Sequence, residues 1–89
     1  MSYTQQRTPP TVPLAPPRLT SKREQLIRAS DHLWRVQDAN GRVLGHLRVV
    51  TDPRGIRYRA ERLHLPSGTF RHVGAFWHPD DAVQALRNG

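Results

Sequence analysis

The stretch Leu33-Trp34-Arg35-Val36-Gln37 … Ile56-Arg57-Tyr58-Arg59-Ala60-Glu61-Arg62 decides the fold, because apolar and polar residues alternate along both of its ends. A period of two places successive side chains on opposite faces of a sheet, so each run reads as a strand with one dry and one wet face. Between them, Asn40-Gly41 is a hairpin signal of the type I′ kind, and Arg42-Val43-Leu44-Gly45-His46-Leu47-Arg48-Val49-Val50 is the returning strand. Thr51-Asp52-Pro53-Arg54-Gly55 reverses the chain a second time, Pro66-Ser67-Gly68 a third, and Thr69 to Val73 forms a fourth strand.

Beyond this sheet the chain turns helical. Pro79 suits a first helical position, Asp80 and Asp81 stand where the helix dipole favours anions, and Ala82, Val83 and Leu86 share one face. His78 is a weak N-cap, and Asn88-Gly89 is a stop signal. Upstream, Ser21-Lys22-Arg23-Glu24 has the spacing of a capping box and predicts a short helix from Lys22 to about Ala29. Pro9, Pro10, Pro13, Pro16 and Pro17 favour extended conformations without a core, so Met1 to about Thr20 is expected to be disordered. The expected fold class is therefore α+β: an antiparallel sheet of three to four strands with a C-terminal helix packed on one face. The division expected is a Pro-rich basic tail over 1–28, with the short helix near its end, and a folded domain over 29–89.

Size and composition narrow the function. In 89 residues with a proline-rich start, roughly the last 60 are left to pack, near the lower limit for a domain without staples and too few for a deep substrate pocket. The absence of cysteine excludes disulfides, thiolate metal sites and cysteine nucleophiles. His32, His46, His64, His72 and His78 have no serine or carboxylate partner at a catalytic spacing, and no His-x-x-x-His pair is present. No enzyme activity, metal or cofactor is expected. No apolar run approaches the ~18 residues of a membrane span and no signal-like segment opens the chain, so a cytoplasmic location without membrane contact is expected.

Charge is the strongest global feature. The net charge is +7, and of fourteen cations all but Lys22 are arginine, whose planar fork suits phosphates and base edges. A GC-rich coding sequence also favours arginine, so placement matters more than number. If Trp34 and Val36 face the core, alternation puts Val43, Leu47, Val49, Ile56, Tyr58 and Ala60 with them, and Phe76 and Trp77 plug the gap between helix and sheet. The opposite face then carries Arg35, Gln37, His46, Arg48, Arg57, Arg59 and Arg71, with Glu61 as its one clear acid. Strands ~4.8 Å apart merge these into one positive surface. Gly45, inside a strand, marks a bulge or a close approach, with Trp34 as the expected neighbour.

Three antiparallel strands, a segment ending Val73-Gly74-Ala75-Phe76, and a helix opened by Pro79-Asp80-Asp81-Ala82 together resemble the ethylene-response-factor domain and the arm-binding domain of tyrosine integrases. The resemblance covers about Leu33 to Leu86 and implies that the outer face of the sheet lies in a DNA groove, with Arg35, Arg48, Arg57 and Arg59 as contacts. The expected function is thus a small nucleic-acid-binding module, with DNA as partner. The alternative is a protein-interaction or regulatory adaptor using a sheet edge or the tail, and an RNA- or ribosome-associated role stands third.

Overall fold

The computed structural model describes residues 15–88. Five strands form one antiparallel sheet in simple sequence order, β1 (Glu24–Ser30), β2 (Leu33–Asp38), β3 (Val43–Asp52), β4 (Gly55–His64) and β5 (Thr69–Phe76), and helix α1 (Pro79–Asn88) follows. The α+β class and the terminal helix agree with the sequence pattern, but the sheet has five strands instead of three to four. The expected disorder falls mostly on 1–14, outside the described residues.

The additional strand, β1, replaces the helix expected over Lys22 to Ala29. Ser21 and Glu24 do not cap one another. The Ser21 hydroxyl accepts from the Arg23 amide at 3.2 Å in a local turn, while the Glu24 carboxylate takes two hydrogen bonds from Arg87 of α1, at 2.7 and 2.8 Å. A helix of two or three turns with only Leu26 and Ile27 to bury is marginal. Pairing Leu26 with Val36 in β2 completes a ladder and brings Leu26 against the core, so tertiary contacts override the local signal.

The core lies between α1 and one face of β3–β5. Val36, Leu47, Ala60, Ala82, Val83 and Leu86 are buried together, with Leu19, Leu26, Trp34, Leu44, Tyr58 and Phe76 packed around them. Leu19 precedes the sheet, and beside it the Thr20 amide donates to the Asp80 carboxylate at 2.9 Å, so residues 19–24 run along α1. Gly45 is buried against the helix: an added Cβ would collide with the Glu61 carbonyl oxygen and lie 3.1 Å from the Leu86 side chain. The close approach expected at Gly45 is therefore to β4 and α1, not to Trp34.

Two irregularities reset the faces. A bulge between Val36 and Gln37 on β2 skips Leu44 of β3, so Leu44 packs on the core where alternation had put Val43. A second, between Ala60 and Glu61 on β4, skips Val73 of β5. The first hairpin also differs from the type I′ form. Of its residues only glycine has positive φ (Gly41, +82°), the Gly41 amide donates to Asp38 O, and the Asp38 carboxylate accepts from the amides of Asn40 and Arg42. That is the three-residue loop of a type I turn followed by a left-handed glycine.

Candidate nucleic-acid interface

The helix covers one face of the sheet, and among the described residues the other is open. On that open face β2 contributes Arg35, β3 His46 and Arg48, and β4 Arg57, Arg59 and Glu61. The register sets Arg35 beside His46, His46 beside Glu61, and Arg48 directly opposite Arg59. Like charges opposed across a ladder are destabilising unless something bridges them. Glu61 does so: its carboxylate lies 3.3 Å from Arg48 Nε and 4.0 Å from Arg59. Arg59 also reaches His72 Nδ1 of β5, at 3.4 Å. Four of the five arginines singled out in the sequence are thus brought onto one surface.

Arg71 is not among them. The bulge at Val73 reverses the parity of the strand before it, and Arg71 pairs with Arg62. Arg62 points toward the helix, where its guanidinium donates to the carbonyls of Ala85 and Leu86 at 2.7 and 3.2 Å. It satisfies carbonyls left unpaired at the end of α1 and places a cation where the helix dipole favours one. Arg71 is exposed on that side of the sheet.

The open face also holds aromatic rings that sequence reasoning assigned to the core or passed over. Phe76 takes the inward position, its ring folded over Gly74, where an added Cβ would come within 3.0 Å of it. Trp77, the next residue, is therefore turned outward and is 42% exposed, a correction to its expected place in the core. The Arg57 guanidinium lies over the indole at 4.4 Å. Strand parity was the available signal, since two adjacent residues of an extended segment cannot both face inward. Phe70 of β5 stacks on His46 across β4, with centroids 3.7 Å apart and planes 14° from parallel. Burial holds the His46 imidazole below its ordinary pKa, helped by Arg48 and Arg35 and opposed by Glu61. His46 is accordingly neutral at pH 7, and the positive charge of the face is carried by arginine.

Chemically, this surface offers guanidinium donors in a fixed array and exposed rings beside them. Arg57 is 4.0 Å from Asp52, too far for a hydrogen bond. Among the described residues no group of three or more His, Cys, Asp and Glu side chains is placed to hold a metal, and no helix is long and apolar enough to cross a membrane. Comparison with protein-family models, with curated proteins and with solved structures finds no match for the chain.

Proposed function

We propose that this protein is a small non-catalytic module that binds nucleic acid, DNA foremost, through the open face of its sheet. One observation carries the reading. Arg35, Arg48, Arg57 and Arg59 project from three adjacent strands onto a helix-free surface where Glu61 is the central acid and Asp52 stands at the rim. A sheet face needs only to be polar to be solvated, whereas this one sets Arg48 opposite Arg59 with the single Glu61 carboxylate between them and keeps a net positive charge. A polyanion matches that surplus charge, and each neutralised phosphate releases condensed counterions.

The test is fluorescence anisotropy of a labelled oligonucleotide with the parent and with Arg35→Ala/Arg59→Ala at low salt. The expected outcome is weaker binding by the variant, with each lost phosphate contact removing about one unit or less from the salt slope and the thermal transition nearly unchanged.

A second reading rests on β5, an edge strand that exposes Phe70 and Val73 beside unpaired backbone groups. Such an edge accepts a strand from a protein partner. Failure of the parent to bind any oligonucleotide at low salt transfers the proposal to this adaptor role.

A further inference from the structure

The open face is wide. Five strands at ~4.8 Å spacing span roughly 19 Å between the outer axes, whereas the major groove of duplex DNA is about 12 Å across and admits a helix or a two-stranded ribbon. With β1 and β5 flanking the arginine-bearing strands, the platform is too broad to sink into that groove. The resemblance to groove-reading domains, over Leu33 to Leu86, leaves out β1, which widens the sheet.

The rings point the same way. Trp77 carries the Arg57 guanidinium at 4.4 Å and remains 42% exposed. Gly55 lies beside it with no side chain to cover the indole; even an added Cβ there would come only to 3.8 Å. Phe70, stacked on His46, is 38% exposed. Through the register His46 aligns with Glu61, four residues along β4 from Arg57, a separation of about 13 Å at strand rise. Arg48 and Arg59 occupy the interval. Exposed rings at both ends of a run of guanidinium groups have the makings of a stacking surface, and stacking requires bases whose faces are free.

We infer that the occupant of this face is single-stranded DNA, with one base stacked on Trp77 beside Arg57, a second near Phe70, and the intervening phosphates on Arg48 and Arg59. This deepens the proposed function and rests on it. DNA is assigned over RNA because Glu61, the central acid of the face, accepts from Arg48 through both carboxylate oxygens, at 3.3 and 3.4 Å, and is not free to accept the hydrogen of a ribose 2′-hydroxyl.

The experiment titrates the full chain carrying Trp34→Phe, which leaves Trp77 as its sole tryptophan, with a fifteen-nucleotide oligo-dT, the matching dT·dA duplex and a fifteen-nucleotide oligo-U, at 50 mM salt. Expected are oligo-dT affinity at least tenfold above that of the duplex, quenching of Trp77 emission on binding, and a loss of roughly 5- to 150-fold in oligo-dT affinity for Trp77→Leu, the range for one stacked base. Trp77→Phe, which retains a ring, should lose less. Duplex binding equal to or tighter than oligo-dT binding, or unchanged Trp77 emission at saturation, overturns this inference while the nucleic-acid reading stands. Oligo-U bound more tightly than oligo-dT overturns the assignment to DNA. Absence of binding to all three overturns both the inference and the proposed function.

Discussion

Replacing Glu24 with glutamine removes the charge that ties the first strand to the end of the helix. Glu24 and Arg87 stand 63 residues apart in sequence and meet in a two-pronged ion pair at 2.7 and 2.8 Å, with the carboxylate side chain only 4% exposed. Breaking a buried pair typically costs ~3–5 kcal/mol. Glutamine keeps one acceptor, and the 29% exposure of Arg87 lets the orphaned guanidinium regain water, so about 2 kcal/mol is the appropriate figure for Glu24→Gln. For a domain this small that lowers the melting temperature by about 8–16 °C, or the urea midpoint by about 1–2 M. The pair also predicts a pH signature. The hydrogen bonds from Arg87 hold the Glu24 carboxyl below its ordinary value of 4.5. Its contribution is therefore complete above pH 4.5 and is lost as pH falls through the lower folded-state value, where parent and variant converge. Urea unfolding of both proteins from pH 7 to pH 2 measures this directly. Equal midpoints at pH 7, or a gap undiminished at pH 2, refutes the pairing of β1 with α1 through this bridge.

Two further substitutions probe the packing and the open face. Gly45→Ala should destabilise by ~1–3 kcal/mol or more, read as a lower melting temperature, because the added methyl meets both the Glu61 carbonyl and Leu86. Glu61→Gln should act in opposite directions on two assays. Freeing Arg48 and Arg59 tightens oligonucleotide binding about threefold to tenfold, ~0.7–1.4 kcal/mol, while losing the bridge between them lowers the melting temperature slightly.

What could be read in advance was local. Ile56 to Arg62 alternates without interruption and became β4; Pro79, the two aspartates and the Ala82, Val83, Leu86 face became α1 with those three residues buried. β1 escaped because its evidence is distant: Ser21 and Glu24 look like a cap until Arg87 is known to be near. The bulges escaped for a related reason. Each skips one residue, Leu44 or Val73, and so exchanges the faces of everything beyond it. That exchange brought Leu44 inside in place of Val43 and put Arg71 beside Arg62, away from the other four arginines. Trp77 was misplaced by a residue-type preference, large aromatics being core by default, where the parity of Phe76 and Trp77 was the better guide. Ile56, expected inside, has the right parity but stands 38% exposed, paired with Thr51 beside the β3–β4 turn.

The arginine face is put to the test by the salt dependence of oligo-dT binding, measured for the parent and for Arg35→Ala/Arg59→Ala. Phosphates on Arg48 and Arg59, with up to two more on Arg35 and Arg57, predict a linear plot of log affinity against log salt with a slope of about −1.4 to −2.8, reduced by roughly 0.7–1.4 in the double variant. Binding that is absent at low salt, or binding whose affinity and slope are the same in the two proteins, would contradict it.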